Sequence, residues 1–399
     1  MVKKRKVLVT GIPGPRLFYA AKTTDFSIAY GRRKEIRTFE DLLDDSQLCG
    51  NTGNLLIGEG AVSAFSEHDC TYLPFSYLYG VMDSPERLEM LRERFDLVVL
   101  ATANLLRPGY SAHAEADLLE KIDLPTLVLG VGLQVQSKMA DIPEGTMRLV
   151  RLLADKGHHA FTRGIETRDY LKAQGVENAT ATGCPSIYLR PVNMVEALRR
   201  LKDIGHFHFR SVMVGGYLGS MKSSNEDIKL MSSVSRSVAY VLQDEFLHYG
   251  LTFDQGRPGA RVYESSTGEI KLGFGHKRGD EPATRLAPEY KPTSVHAFLD
   301  NDDWRQWSEG HDLFFGRRFH GGVAAMQAGV PALFVSIDDR MREMLSFAGL
   351  PYIDGSALEG ADKVAVLRKF VEDYDPVATV RAYEEREADF RQNVNRLLQ

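Results

Sequence analysis

Cysteine is scarce in this chain of 399 residues: Cys49, Cys70 and Cys184 are all it has. Three thiols so far apart exclude a disulfide framework and a structural zinc site, and they suit a reducing compartment. A basic surplus is also missing. Lys and Arg number 49 against 54 Asp and Glu, a net charge of −5, which argues against a dedicated nucleic-acid binder. Long apolar runs are absent too. The longest, Leu97 to Ala101, is strand-sized, far short of the roughly 20 residues a membrane-spanning helix needs. The basic start Met1-Val2-Lys3-Lys4-Arg5-Lys6 followed by Val7-Leu8-Val9 has the look of a signal peptide. The apolar run breaks at once on Gly11-Ile12-Pro13-Gly14-Pro15, so a first core strand is expected instead. The eleven histidines show no helical His-x-x-x-His pair and no Cys/His spacing for a metal. There is no internal repeat and no low-complexity tract.

What is present is an alternation of short apolar runs with amphipathic stretches. Strands are expected at Asp96–Leu100, Thr126–Val131, His159–Thr162, Ser211–Val214, Leu313–Phe315 and Ala332–Val335. Between them the spacing predicts helices from Pro85 to about Phe95, Ala112–Ile122, Pro143–Lys156, Ile165–Gln174, Asn225 to about Tyr249, Gly321–Gln327, Asp339–Ala348 and Pro376–Leu398. Ser84 with Pro85 and Glu86 is a helix-start signature, and Gly175 a stop. Continuous apolar strands between helices indicate parallel sheets covered on both faces, an α/β fold. A boundary is expected near Pro185–Val192. Residues 255–295, rich in Gly, Pro and charge, read as an insertion or mobile loop with a hairpin at Ser265–Glu269. His206-Phe207-His208 alternates with period two and reads as strand.

Five segments carry candidate chemistry. Cys49-Gly50-Asn51-Thr52-Gly53-Asn54 is a glycine-rich turn entering a helix, the kind that brings backbone N–H groups to an anion or a sugar. It lacks the Lys-Ser/Thr of a Walker loop and the preceding strand of a dinucleotide fingerprint. Gly130-Val131-Gly132-Leu133-Gln134 and Arg163-Gly164 each follow a strand, where ligands bind in open α/β sheets. Arg163 either grips an anion or pairs with Glu166 or Asp169. Gly316-Arg317-Arg318-Phe319-His320-Gly321-Gly322 joins a strand to an Ala/Gly-rich helix, so Arg318 and His320 fall at a positive helix end, a ready anion pocket. Arg340 follows the next strand and either closes that pocket or shares a solvated face with Arg342. Asp300-Asn301-Asp302-Asp303 reads as a solvated turn rather than a metal cluster.

Taken in order, these segments resemble the polysaccharide pyruvyl transferase family. The resemblance is carried by Asn51-Thr52-Gly53-Asn54, Gly130–Gln134, Phe161-Thr162-Arg163 and Gly183-Cys184-Pro185-Ser186. It continues through Arg318-Phe319-His320, Gly329-Val330-Pro331, Asp338-Asp339-Arg340 and Ala348-Gly349-Leu350-Pro351. It implies two Rossmann-like domains facing across a cleft, similar to GT-B glycosyltransferases. The expected division is 1–190 on the acceptor side, 191–375 on the donor side, and a C-terminal helix 376–399 returning to the first domain. The resemblance further implies phosphoenolpyruvate as donor, a sugar or lipid-linked oligosaccharide with two free hydroxyls as acceptor, and a pyruvate ketal plus phosphate as products. No cofactor, metal or nucleic acid is expected. The expected location is cytoplasmic, including the inner face of the membrane.

The family's Arg-x-His motif falls on Arg318 and His320, as catalytic and donor-binding residues, and its upstream donor-contacting Arg on Arg163. Gly321 and Arg340 complete the expected donor site; the family often has Lys at the position of Arg340. Asn51, Asn54, Glu59 and Gln134 are the expected acceptor contacts. His320 is either the acid or a phosphate partner, and Glu59 and Asp338 are candidate bases by placement alone. Rival readings are a glycosyltransferase using a nucleotide sugar and a catalytically silent glycan binder.

Overall fold

In the computed structural model, the described residues are 4–12, 51–134, 142–217, 222–243, 292–298, 300–360 and 362–398, with short strands at 261–264, 269–270 and 284–285. The apolar runs pair into two main sheets. The first contains β1 (Lys6–Gly11), β2 (Asp69–Tyr72), β3 (Leu97–Ala101), β4 (Thr126–Val131), β5 (His159–Thr162) and β6 (Ala179–Ala181). All six are parallel, in the order β2-β1-β3-β4-β5-β6.

The second sheet begins with β7 (Val212–Gly215), β8 (Val238–Leu242) and the edge strand β9 (Arg261–Glu264). Two very short strands, β10 (Glu269–Ile270) and β11 (Thr284–Arg285), pair with each other outside it. β12 (Ser294–Ala297), β13 (Leu313–Gly316), β14 (Ala332–Ser336) and β15 (Tyr352–Asp354) complete it. The order is β15-β14-β13-β7-β8-β12-β9, with β9 alone antiparallel. The molecule is therefore α/β, with two Rossmann-like sheets.

Sequence order reverses between β1 and β3 in the first sheet and between β7 and β13 in the second. At such switch points the loops leaving the strands diverge and open a crevice. Strands β3, β4, β7, β13 and β14 are buried along their whole length, as sheets covered on both faces require. An apolar cluster spans both halves, including Leu56, Phe161, Phe314, Phe334 and Tyr383. Each fully buried large side chain contributes about 1.5–3 kcal/mol.

Local signals set most helix ends. Ser84 caps Pro85–Arg94 through Arg87 N, and Gly175 leaves Ile165–Ala173 at φ +87°. The final helix, Pro376–Leu398, packs on helix Pro191–Arg200. Tyr383 donates to Ile187 O at 2.8 Å, Phe390 stacks on Tyr188 at 4.5 Å, and Arg5 Nε donates to Leu398 O at 3.3 Å. No helix among the described residues is long and apolar enough to cross a membrane.

Three expectations need correction. The long helix from Asn225 to Tyr249 is a helix Lys222–Val234 followed by the buried strand β8. Ser235 Oγ bonds back to Met231 O as the helix ends, and the unbroken run Val238–Leu242 has the apolar continuity of a central strand, not the stripe of a helix. Residues 244–249 lie outside the described ones. His206-Phe207-His208 is not a strand either. His206 ends a 3-10 helix, Phe207 is left-handed at φ 46°, and the His206 ring bonds to the carbonyls of Asp203 and His208. Asp300-Asn301-Asp302-Asp303 starts a helix, Asn301–Ser308. Asp300 Oδ1 accepts from the N–H groups of Asp302 and Asp303. The turn of the expected hairpin, 265–268, lies outside the described residues; among the described ones, β9 pairs with β12 and β10 with β11.

Candidate active site

A cavity of about 560 Å³ opens at the carboxyl ends of both sheets. Its lining follows the switch points. Gly11 and Ile12 leave β1, residues 101–105 leave β3, Tyr217 leaves β7 and Arg317 to His320 leave β13. Arg163 comes from the end of β5 and Arg340 from the helix after β14. Asn51 and Asn54 add the glycine-rich turn.

That turn rests on the opposite half. Thr52 N donates to Gln243 O at 3.0 Å, and a Cβ on Gly53 would stand 2.6 Å from His320 Cβ. Only glycine allows the turn so close to the histidine. Asn51 Oδ1 accepts from Gly53 N at 2.9 Å and fixes the turn locally.

The helix Phe319–Gln327 starts two residues earlier than expected, with Arg318 as its N-cap residue. His320 therefore lies in the first turn, among backbone N–H groups that lack intrahelical acceptors. It is buried, with Nε2 3.7 Å from Cys184 Sγ. Burial, and then the charges of Arg163, Arg340 and Arg318, hold its pKa well below the ordinary histidine value. The imidazole is neutral in the free protein at pH 7.

Arg163 is 3% exposed. Its Nε donates to Gly130 O at 2.9 Å, Nη1 lies 3.5 Å from Met344 Sδ, and Nη2 lies 3.5 Å from Thr102 O. Pairing with Glu166 or Asp169 does not occur; Asp169 takes Arg168 instead. Burial lowers the Arg163 pKa, and the nearby Arg340 charge acts the same way. Arg318 Nε donates to Gly216 O at 2.9 Å, and its guanidinium lies 3.6 Å above the Tyr217 ring. Arg340 is held to Asp338 at 3.2 Å, while its buried Nε has no hydrogen-bond partner. Asn104 Oδ1, also in the lining, is likewise buried without a partner. Unmet polar groups beside a crevice are what a polar ligand would complete.

Arg163, Arg318, His320, Arg340, Asn51 and Asn54 thus share one cavity. Glu59, Gln134 and Gly321 lie outside its lining. Glu59 binds Arg305 Nη2 at 2.5 Å and Asn301 Nδ2 at 2.8 Å. Gln134 Oε1 accepts from Asn104 Nδ2 at 3.0 Å, one layer behind the wall. Gly321 faces Phe314, where a Cβ would approach to 2.8 Å; its smallness seats the helix on the sheet. Asp338 caps the helix Asp339–Ala348 through Met341 N.

Sequence reasoning missed several wall residues: Asn104, Arg107, Tyr110, Glu115 and Tyr217. They lie on irregular segments, or in a first helical turn, with no motif of their own. Their one common signal is position just after strands β3 and β7.

The comparisons with known proteins can be set beside this geometry. The family model described as polysaccharide pyruvyl transferase matches residues 51–339. No curated protein matches the chain. Among solved structures, S. aureus MnaA in its UDP co-structure is 12% identical, covers 95% of this chain and 94% of its own, and has a TM-score of 0.43. The Neisseria meningitidis UDP-GlcNAc 2-epimerase bound to UDP-GlcNAc is 10% identical, covers 95% and 98%, and has a TM-score of 0.44. The family match takes in Asn51, Asn54, Arg163, Arg318 and His320, five of the residues that line the cavity, and the chain belongs to the polysaccharide pyruvyl transferase family.

Proposed function

We propose that the protein transfers pyruvate from phosphoenolpyruvate to two hydroxyls of one sugar in a polysaccharide or its precursor, lipid-linked oligosaccharides included. The observation that carries this reading is one cavity holding Arg163, Arg318, Arg340 and a buried His320 at a helix N-terminus. Phosphoenolpyruvate offers a phosphate and a carboxylate, and guanidinium groups fit both oxyanions.

One acceptor hydroxyl adds to C2 of the enol as C3 gains a proton. The second then displaces phosphate and closes the ketal. Of the two hydroxyl protons, one ends on the new methyl group and the other on phosphate. Stabilising the departing phosphate needs positive charge fixed in advance, which the arginines and the helix end supply. His320 serves this reaction as a hydrogen-bond donor to phosphate. A group held neutral at pH 7 by burial and three guanidiniums is a poor proton source.

The test is incubation with phosphoenolpyruvate and a panel of sugar acceptors, following inorganic phosphate and product mass. The expected result is acceptor-dependent phosphate release with a ketal-linked pyruvate on the product. Sugar transfer from a nucleotide sugar, or no turnover with any acceptor, would overturn it.

A further inference from the structure

Addition of a sugar hydroxyl to an enol carbon is helped by a base that takes up the hydroxyl proton. Of the described residues lining the cavity, Glu115 is the single carboxylate, facing a lining that includes Arg107, Arg163, Arg317, Arg318 and Arg340. It sits in the first turn of helix His113–Ile122, half-buried, and receives a hydrogen bond from Tyr110 Oη. The Tyr110 ring in turn lies 5.5 Å from the Arg107 guanidinium. Tyr110 is itself a lining residue. All three belong to the segment leaving β3, on the first-sheet side of the crevice, whereas Arg318 and His320 belong to the second.

We infer that Glu115 is the catalytic base that takes the proton from the attacking acceptor hydroxyl, and that Tyr110 is the positioning residue that orients its carboxylate. This rests on the pyruvyl-transfer reading above. The acceptor O–H proton passes to Glu115 as the oxygen forms its bond to C2. The C2=C3 electron pair takes a proton from water at C3, leaving a phosphorylated intermediate, and Glu115 passes its proton to the hydroxide so formed, so that one hydroxyl proton has in effect moved to the new methyl group. The second hydroxyl then closes the ring as the C2–O bond to phosphate breaks, the electron pair and the second hydroxyl proton both leaving on phosphate. Tyr110 stays protonated because burial and the adjacent Glu115 charge raise its pKa, so it donates to the carboxylate rather than competing for the proton.

A carboxylate inside the guanidinium cluster would pair with it, as Asp227 pairs with Arg317 at 2.5 and 3.0 Å. Such a carboxylate would be a weaker base and would compete with the donor.

The test compares wild type, Glu115→Gln, Glu115→Asp and Tyr110→Phe in steady-state transfer, with phosphoenolpyruvate affinity measured separately by titration calorimetry. Glu115→Gln is expected to lower kcat by about 10²–10⁴-fold, with phosphoenolpyruvate affinity within about twofold, which also reports an intact fold. Glu115→Asp should recover part of the rate. Tyr110→Phe should lower kcat by a smaller factor and leave donor affinity unchanged. An active wild type with an equally active Glu115→Gln overturns the base assignment alone. So does a Glu115→Gln variant whose only defect is a raised acceptor KM. A wild type that transfers no pyruvate removes the underlying reading, and the base assignment with it.

Discussion

Arg305 and Arg163 are almost equally buried, at 1% and 3% exposure, yet their surroundings differ in kind. Arg305 meets Glu59 at 2.5 Å, Asp302 at 3.0 Å and Gln327 at 2.8 Å, so its charge is neutralised within the protein. Arg163 is held by two carbonyls and a thioether, and no carboxylate of the described residues is within salt-bridge distance. Carbonyl dipoles orient a guanidinium without cancelling its charge. A buried arginine paired with acids holds the fold together. One propped on carbonyls at the rim of a cavity carries charge that a ligand can use, at a standing desolvation cost.

The sharpest test of this contrast is the Arg163→Met variant. It should bind phosphoenolpyruvate too weakly to measure and lose about 10³-fold or more in kcat/KM, while its urea midpoint stays equal or rises, because an unpaired buried charge has gone. Wild-type kinetics would break the comparison. Arg305→Met should do the reverse. With the partly exposed Glu59 left unpaired, unfolding free energy should fall by about 2–4 kcal/mol, and kinetic constants of the protein that remains folded should change little. Urea melts and turnover on the same preparations separate the two.

Arg318→Lys is the intermediate case. The charge remains, but the planar fork and its stacking on Tyr217 are lost. Donor affinity should weaken about tenfold, read by calorimetry, with kcat less affected. If affinity is unchanged, Arg318 does not grip the donor through two oxygens.

The smallest effect concerns pH. His158 is buried with an unpartnered Nε2, and burial followed by the Lys156 charge pushes its pKa down to about 4. Its folded-state value lies below the unfolded value of roughly 6.5, so the unfolded chain binds the extra proton first. That stabilisation is complete above pH 6.5 and is lost as pH falls towards 4. His320, also depressed, acts in the same direction. Between pH 7 and 5.5 the urea midpoint should drop by the equivalent of about 1 kcal/mol. His158→Gln should flatten that slope in part, and an unchanged slope would locate the proton uptake elsewhere.

Much of this was legible in the residues. Where strand and helix signals alternate cleanly, from Ser84 to Gly175, predicted and observed elements agree to within a residue or two. The misread segment, 225–249, failed because Val238–Leu242 was absorbed into a helical stripe. Only its neighbours β7 and β12 make it a strand. The Arg-x-His segment was readable because a strand, two basic residues and a glycine pair mark a helix start by local chemistry. Glu59 shows what local signals leave out: its placement after a glycine turn suggested a ligand, and the fold brings it Arg305 from 246 positions later.

The sequence by itself determined the alternation of strands and helices, the positive helix end at Arg318 and His320, and the family. These follow from periodicity, caps and short motifs, all local. The tertiary structure alone decided which partners each charge meets. Arg317 and Arg318 are adjacent and alike in sequence, yet Arg317 pairs with Asp227, whereas Arg318 reaches Gly216 and Tyr217. Whether a buried charge is cancelled depends on partners distant in the chain, because electrostatic pairing acts through space over a few ångströms and leaves no periodic trace in the sequence.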